Sequence, residues 1–345
     1  MKIFFNFATM IRVFEQADLR GRNSFHVSQR AARLIEFDKA EELPALFEQY
    51  HPEQWMVLSG GNNVLFTRDY EGTLITPCGT DIKIIAEDDR EVEVEVEAGL
   101  EWDDLVRWCV ERGLWGIENL SLIPGKVGAA PVQNIGAYGV EAKNTVRAVT
   151  MFVPESGKFL TLAAEHCGFG YRESVFKHSL RGKVIITSVT FRFGKNANPI
   201  LGYGDVVREV EVRGGATLRN IRDAICDIRR SKLPDTEVLG NAGSFFKNPV
   251  VEVAVAEKLR ADYPDMPFYP VAEQGKVKLA TGWLIDKAGL KGYRKGTVGV
   301  HERQALVLVN HGGATGGEVI AFARMVQECV QERFGIEIDT EVNIL

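Results

Sequence analysis

The chain has 345 residues, of which 45% are hydrophobic and 26% are charged. These proportions are typical of globular proteins and exclude collagen-like repeats, disordered chains and small disulfide-rich proteins. Asp and Glu number 47 against 41 Lys and Arg, which gives a formal net charge of -6. The totals indicate no basic surface for nucleic acid, so we expect no nucleic-acid partner.

The cysteines and the amino-terminal segment predict a cytoplasmic protein. The five cysteines lie far apart and form no C-x-x-C pair, which is typical of reduced thiols and not of a structural zinc site. No apolar run approaches the roughly 18 residues that a membrane-spanning helix needs. Residues 1–14 begin with an apolar stretch, but Asn6 and Arg12 interrupt it and no signal-peptide cleavage site follows. We interpret residues 1–22 as an N-terminal leader and expect neither a membrane partner nor a metal.

Residues 23–81 form the first predicted unit. Apolar residues recur at helical spacing from Leu43 to Tyr50, and residues 55–58 form a predicted strand. That strand leads into Ser59-Gly60-Gly61-Asn62-Asn63, and a second strand follows at residues 64–66. A strand, a glycine turn and another strand differ from the Rossmann fingerprint, and G-x-G-x-x-G occurs nowhere in the chain. A dinucleotide bound here would need another fold.

Residues 82–232 form the second predicted unit. Residues 91–97 alternate strictly between Glu and Val, which predicts a strand with one wet face. An amphipathic helix from Trp102, a strand over residues 183–193 and a helix capped by Thr217 follow.

Residues 233–334 form the third predicted unit, and residues 335–345 are expected to return to the first as a strand. The third unit contains a predicted helix over 251–259, a strand over 305–309 and a helix that turns Val319 and Phe322 inward. Residues 336–342 alternate like a strand. Strands and helices mix without regular alternation, which favours an α+β fold.

A glycine-rich loop over residues 124–139 is the strongest candidate for ligand binding. Its four glycines and two alanines let the backbone approach a ligand closely, and its N–H groups could form an anion-binding nest for a pyrophosphate. The alternative is a surface turn. Together with residues 59–63, this loop could hold one long diphosphate ligand.

Three polar segments each leave two interpretations open. Arg172 lies among aromatic residues and could bind a carboxylate or phosphate, or it could form a surface ion pair with Glu173. Ser244 could present a hydroxyl or only shape a turn, and G-x-S-x-G is absent. Residues 229–232 carry three cations, which suit a phosphorylated ligand or a solvated helix end.

The sequence lacks the motifs of two common enzyme classes, the histidine metalloenzymes and the P-loop ATPases. The six histidines, including His301, show no H-E-x-x-H or comparable metal spacing, so we expect them to have structural roles. The Walker A motif is absent, which excludes ATP hydrolysis of the P-loop type.

Several strings, in order from about residue 23 to the end, resemble the UDP-N-acetylenolpyruvoylglucosamine reductase (MurB) family, in its longer branch with a tyrosine loop. The strings are Asn23-Ser24-Phe25, Gly61-Asn62-Asn63-Val64-Leu65-Phe66, residues 118–139, Gly170-Tyr171-Arg172-Glu173-Ser174, Leu201-Gly202-Tyr203-Gly204-Asp205, Lys232-Leu233-Pro234, residues 240–249, Gly282-Trp283-Leu284-Ile285-Asp286 and Thr340-Glu341-Val342.

The resemblance implies a vanillyl-alcohol-oxidase-like (PCMH-type) FAD-binding domain of two subdomains, 23–81 and 82–232, and an α/β domain for the UDP-sugar at 233–334. It implies a monomeric flavoenzyme of peptidoglycan synthesis that uses FAD and NADPH. Residues implied at FAD are Gly61, Asn62, Asn63, Gly125, Gly128, Gln133, Asn134 and Gly139, and residues implied at the substrate are Tyr203, Lys232, Asn248 and Gln304. Ser59, Gly60, Asn62, Ala129 and Ala130 depart from the residues common in relatives.

The resemblance also assigns catalytic roles to Arg172, Ser244 and Glu341. Hydride addition to the enolpyruvyl group of UDP-N-acetylglucosamine enolpyruvate pushes charge into its carboxylate. Arg172 and a protonated Glu341 could hydrogen-bond that carboxylate, and Ser244 could protonate the neighbouring carbon. An FAD oxidase of a sugar or lactone, and a nucleotide-sugar-binding protein without catalysis, are the alternatives.

Overall fold

The structure, a computed structural model, describes residues 3–5, 11–271 and 273–345. The chain forms two compact units. The first comprises Met1–Ala17, Ala31–Gly60 and Glu71–Ser231, and the second Asp18–Arg30, Gly61–Tyr70 and Lys232–Leu345. The predicted leader, residues 1–22, includes the strand Arg12–Asp18, while its residues 1, 2 and 6–10 lie outside the described residues. The division into a leader and three domains stays a prediction.

The secondary structure mixes short strands with helices, in agreement with the predicted α+β class. The strands are β1 Ile3–Phe5, β2 Arg12–Asp18, β3 Arg30–Phe37, β4 Trp55–Val57, β5 Val64–Leu65, β6 Tyr70–Pro77, β7 Ile82–Glu87, β8 Glu91–Glu97, β9 Gly136–Ala137, β10 Val140–Glu141, β11 Val146–Val153, β12 Lys158–Ala163, β13 Ile185–Gly194, β14 Val250–Glu252, β15 Phe268–Pro270, β16 Lys276–Leu279, β17 Arg294–Lys295, β18 Val298–Val300, β19 Leu308–Asn310 and β20 Asn343–Ile344. The helices are α1 Leu43–Tyr50, α2 Trp102–Glu111, α3 Val206–Val212, α4 Leu218–Lys232, α5 Val253–Asp262, α6 Thr281–Lys287 and α7 Gly316–Phe334.

Two five-stranded sheets form the frame of the first unit. One has the order β1-β2-β3-β6-β4, with β4 parallel to β6, and the other has the antiparallel order β12-β11-β13-β8-β7. The alternation in β8 buries Val92, Val94 and Val96, as predicted. Because burying such side chains removes apolar surface from water, these valines stabilise a large core cluster of this unit.

Sequence periodicity predicts the amphipathic helices of the first unit well. Helix α1 buries Leu43 and Leu46, and α2 buries Trp102 and Leu105. Thr217 caps α4, since its Oγ1 accepts the backbone N–H of Asn220 at 3.1 Å.

In the second unit, α7 follows its prediction closely. It turns Val319, Phe322, Val326 and Val330 inward, begins with a Thr315–Glu318 capping box and ends at Gly335, whose φ is +67°. Three-stranded sheets β14-β16-β15 and β17-β18-β19 complete the unit, together with a parallel pair of β5 and β20.

Three predicted elements of the second unit differ in the structure. The predicted helix 251–259 begins only at Val253, because residues 250–252 pair with β16 as β14. The predicted strand 305–309 begins at Leu308, since residues 301–307 form a turn. Residues 336–342 bury Ile336, Ile338 and Val342 as alternation demands but form only an isolated bridge, Phe246 to Thr340, and the strand there is β20.

Across the described ranges, no helix combines the length and the apolar character that crossing a membrane requires.

Two adjacent glycines at the start of α7 provide a matched test of this packing. A Cβ on Gly316 would lie 1.9 Å from the carbonyl oxygen of Phe66, whereas a Cβ on Gly317 would meet nothing closer than 3.9 Å. We expect Gly316→Ala to lower the free energy of unfolding by about 1–3 kcal/mol, because the backbone of residue 66 must move. Gly317→Ala should leave the urea midpoint unchanged or raise it slightly. Equal midpoints for the two variants would contradict this packing.

Candidate active site

In the first unit, the glycine-rich loop is a compact cap and not an open loop. It contains a 3-10 turn, Val127–Ala129, and the hairpin of β9 and β10. Backbone N–H groups of seven of its residues donate to carbonyl oxygens of the same unit: Val127, Gly128, Ala129, Ala130, Val132, Asn134 and Ile135. These seven amides are therefore committed to folding, and they do not form the predicted anion-binding nest.

The glycines and Asn134 of this loop are each suited to their positions for a different structural reason. Gly125 and Gly139 have φ angles of +117° and +83°, which a side chain would strain. A Cβ on Gly128 would lie 2.6 Å from the Cβ of Ala98. The buried amide of Asn134 donates to Glu141 Oε2 and to the Gly170 carbonyl, and its oxygen accepts the Lys143 N–H. Any contact of Asn134 with a cofactor would therefore involve its backbone.

Arg172 lies against this cap. Its Nη2 donates to the carbonyl oxygen of Gly136 at 2.7 Å, and its Nη1 donates to that of Asn134 at 3.4 Å. Its own backbone has a φ of +57°, and Lys177 Nζ donates to its carbonyl oxygen. Glu173 forms an ion pair with Lys177 and contacts His178. Two backbone carbonyls of the loop therefore fix the position of the Arg172 guanidinium.

Tyr203 is exposed on the segment that precedes α3, and its ring meets Tyr138 edge to face with centroids 6.0 Å apart. Burial raises the pKa of the Tyr138 phenol and lowers the pKa of the neighbouring Arg229 guanidinium, whose buried Nε has no hydrogen-bond partner in the described part of the chain. Arg230, by contrast, is exposed and pairs with Asp227 on the same helix, which fits the solvated-helix-end interpretation for that residue.

In the second unit, residues 19–27 fix the loop that begins at Gly61. The Ser24 N–H donates to the Gly61 carbonyl, and a Cβ on Gly61 would lie 2.1 Å from the Arg22 carbonyl oxygen. Asn343 donates from both its backbone N–H and its Nδ2 to the carbonyl oxygen of Asn63. Gly61, Asn62 and Asn63 are therefore held from both sides by segments distant in sequence.

Phe245, which follows Ser244, connects this segment to Glu341 through a backbone hydrogen bond. The Phe245 N–H donates to the Leu306 carbonyl at 2.7 Å, and its carbonyl accepts the Glu341 N–H at 2.8 Å. Ser244 also bridges Val307, and the Lys247 N–H donates to the Asp339 carbonyl. Within the described residues the Ser244 Oγ makes no hydrogen bond. The segment is therefore held through its backbone, by residues 306–307 on one side and by residues 339–341 on the other.

The second unit also orients two predicted substrate residues. The Asn248 Oδ1 accepts the Thr281 N–H at 3.0 Å, at the start of α6. The Gln304 Oε1 accepts the Leu306 N–H at 3.4 Å. Both amides therefore have their oxygens occupied, which leaves their NH2 groups as donors. Lys232, the last residue of α4, is exposed.

Comparisons with known proteins settle the family. Residues 234–345 match the C-terminal domain of UDP-N-acetylenolpyruvoylglucosamine reductase, and residues 31–163 match an FAD binding domain. The UDP-N-acetylenolpyruvoylglucosamine reductase of Chromobacterium violaceum is 48% identical, over 95% of this chain and 97% of its own. That of Pseudomonas aeruginosa is 47% identical, over 96% and 98%. This chain belongs to the UDP-N-acetylenolpyruvoylglucosamine reductase family.

A solved member of the reductase family has the same fold. The crystal structure of MurB from Thermus caldophilus covers 97% of this chain and 99% of its own, with a TM-score of 0.68 and 24% sequence identity. Together with the matched FAD binding domain, this fold confirms the predicted vanillyl-alcohol-oxidase-like class.

The residues present fit the FAD that this reductase family uses. Two buried polar atoms of the first unit, Ser59 Oγ and Asn119 Oδ1, have no hydrogen-bond partner among the described residues. Buried polar atoms are normally satisfied, so an acceptor and a hydroxyl left open in this way are suited to a polar ligand. The residues that the resemblance places at FAD stay predictions.

Sequence reasoning assigned no role to Asn119, although it lies in a string that carries the resemblance. Its fully buried Nδ2 donates to the carbonyls of Tyr138 at 2.8 Å and Ile200 at 2.7 Å. It therefore links the end of the glycine-rich loop to the segment that leads to Tyr203. An Asn that follows Glu118 in an irregular segment gives no local signal of such a long-range link.

Asn119→Asp tests that link. The carboxylate would lose both donated bonds and place an oxygen against two carbonyl oxygens, so we expect the free energy of unfolding to fall by about 1–3 kcal/mol. Limited proteolysis of residues 195–205 should also accelerate. The exposed Asn196 provides the control, because Asn196→Asp should change the free energy of unfolding by no more than about 0.5 kcal/mol. Indistinguishable unfolding and cleavage for both variants would contradict the role of Asn119.

Proposed function

We propose that this protein reduces the enolpyruvyl ether of UDP-N-acetylglucosamine to UDP-N-acetylmuramate, as a cytoplasmic enzyme of peptidoglycan precursor synthesis that uses FAD and NADPH. The observation that carries the proposal is the 48% identity with a reductase of that name over 95% of the chain. The residue assignments below rest on the resemblance and on the contacts within each unit.

When bound, FAD would supply the hydride for the terminal enolpyruvyl carbon of the substrate, with NADPH as the source of the electrons. The electron pair displaced on the substrate spreads into its carboxylate, which needs cationic and hydrogen-bonding partners. Arg172 is suited to this task because its guanidinium is fixed by the Gly136 carbonyl and because a planar guanidinium matches the geometry of a carboxylate. Lys at this position would offer one point charge without that geometry.

Ser244 is the proposed proton donor. Its Oγ makes no hydrogen bond within the described residues, while its backbone is held by the bridge to Val307. A hydroxyl is a weak acid in water, but the carbanion that needs the proton is strongly basic. Glu341 in its acid form would donate a hydrogen bond to the substrate carboxylate, a contribution of roughly 3–4 kcal/mol for one preorganised donor.

Asn248 and Gln304 are suited to the acceptor-rich part of the nucleotide sugar. The backbone N–H groups of Thr281 and Leu306 donate to their oxygens, which leaves their NH2 groups as donors for a ligand. Phosphate and carbonyl oxygens of the substrate are acceptors only, so the orientation of these amides matches them. Lys232 adds a positive charge for a phosphate, and the exposed Tyr203 ring can cover the bound ligand.

Turnover itself tests the proposed function. The purified protein should show flavin absorbance and should oxidise NADPH quickly only when the enolpyruvyl nucleotide sugar is added. UDP-N-acetylglucosamine, which lacks the alkene, is the matched control and should leave NADPH oxidation at its background rate. Flavin without any substrate-dependent oxidation would overturn the proposal in favour of a binding protein or an oxidase.

Ser244→Ala separates the two half-reactions. Because Ser244 acts only on the substrate carbon, the variant should still let NADPH reduce FAD at a rate near that of the wild type. Reoxidation by the enolpyruvyl substrate should slow by about 10²–10⁴-fold, the usual contribution of a positioned acid. Stopped-flow absorbance of the flavin measures both rates.

Ser156→Ala, in the exposed turn between β11 and β12, is the control and should match the wild type in both half-reactions. Equal slowing of both half-reactions in Ser244→Ala would refute its role as the acid.

A further inference from the structure

The turn between β18 and β19, residues 301–307, has no role in the proposed function beyond the presence of Gln304. Its backbone is closed by two bonds: the His301 N–H donates to the Val307 carbonyl, and the Val307 N–H donates to the Gln304 carbonyl. The Leu306 carbonyl accepts the Phe245 N–H, and Val307 bridges Ser244. The turn thus bears Gln304 and also supports the Ser244 segment.

A third bond in this turn comes from a side chain. The backbone N–H of Gln304 donates to the Nδ1 of His301 at 3.2 Å. The ring is 8% exposed, so water has little access to replace that acceptor. An imidazole nitrogen accepts only through its lone pair, which protonation removes. The bond therefore exists only while His301 is neutral with its proton on Nε2.

The charged groups that act on the ring are Arg303, Glu302 and His311. Burial, Arg303 and His311 lower the pKa of His301 below its ordinary value of 6.5, while Glu302 acts in the opposite direction. His301 is accordingly neutral at neutral pH, and its bond to Gln304 is intact there. The bond is lost as the pH falls through that lowered value.

We propose that the neutral imidazole of His301 is a positioning group for substrate binding, which fixes the backbone of Gln304 so that its amide faces the nucleotide sugar. This inference rests on the proposed function, because it assigns Gln304 to the substrate. Protonation of His301 frees the Gln304 backbone and weakens substrate binding.

A pair of substitutions separates the hydrogen bond from simple packing. Asn places its Oδ1 where the His Nδ1 lies, and this oxygen accepts a hydrogen bond at every pH of interest. Gln has the same functional group on a longer stem that puts its oxygen beyond that position. His301→Asn should therefore retain the bond and His301→Gln should lose it.

The test measures binding of the enolpyruvyl nucleotide sugar to the oxidised holoenzyme without NADPH, by calorimetry between pH 5 and pH 8. We expect wild-type affinity to fall by roughly two- to tenfold as the pH falls through the lowered pKa of His301, the effect of one net hydrogen bond. His301→Asn should lack that additional loss. His301→Gln should show roughly two- to tenfold weaker affinity already at neutral pH.

His166→Gln is the control for the loss of another histidine, since His166 is exposed on the first unit and is not among the groups that act on His301. It should reproduce the wild-type pH profile. Melting temperatures at neutral pH identify any variant whose fold is impaired, and the comparison of Asn with wild type then carries the test alone.

The outcomes are distinguishable. Identical pH profiles for wild type and His301→Asn would overturn the positioning role of His301 while leaving the proposed function intact. Absence of substrate binding to the wild-type holoenzyme at every pH would overturn the proposed function itself.

Discussion

Hydrogen bonding on both edges of one short segment is the constraint on which the proposed chemistry of the second unit depends. Residues 244–247 bond to the 306–307 turn on one side and to residues 339–341 on the other. Since backbone N–H and C=O groups must be paired when buried, this arrangement fixes the segment without help from side chains. The Ser244 hydroxyl makes no hydrogen bond within the described residues, so the backbone of this segment provides the rigidity while the hydroxyl takes no part in holding it.

The segment that leads to Ser244 also packs closely against the backbone of Phe25. A Cβ on Gly240 would lie 2.6 Å from the Phe25 carbonyl oxygen, and the Asn310 Nδ2 donates to that same oxygen at 2.7 Å. The Asn23 side chain in turn closes its own loop by bonds to Leu19 and Val27. The string Asn23-Ser24-Phe25, which carried the family resemblance without a role, is thus a scaffold on which the Ser244 segment lies.

Sequence patterns predicted the elements whose cause is local and missed those whose cause is distant. The faces of α2, α4 and α7 follow from spacing alone, and the Glu-Val alternation of β8 defines one buried face. Residues 336–342 alternate as well, yet their partners are single backbone groups of residues 245–247, so no ladder forms. The glycine-rich loop was predicted to offer its backbone N–H groups to a ligand, but the carbonyls of Ala98 and Leu100 accept two of them.

The candidate residues themselves came from resemblance, and their geometry could not have come from spacing. Nothing local in the sequence says that Asn134 is fully used within the protein or that Asn119 joins residues 138 and 200. Such links depend on which carbonyls a buried amide meets after folding. Polar residues in irregular segments are therefore where pattern-based prediction is weakest and where contacts are most informative.

The two ends of the Asn248 amide answer to different requirements. Its oxygen serves the first turn of α6, a task that an aspartate would perform equally well, since Asp and Asn are comparable at helix beginnings. The stability of α6 therefore does not require the nitrogen atom of Asn248. The presence of an amide instead of an acid depends on the acceptor that this nitrogen faces. Replacement of Asn248 by Asp would keep the bond to α6 but would put a negatively charged oxygen where the NH2 donor faces a phosphate. Folding and ligand recognition can therefore be selected separately at this one position.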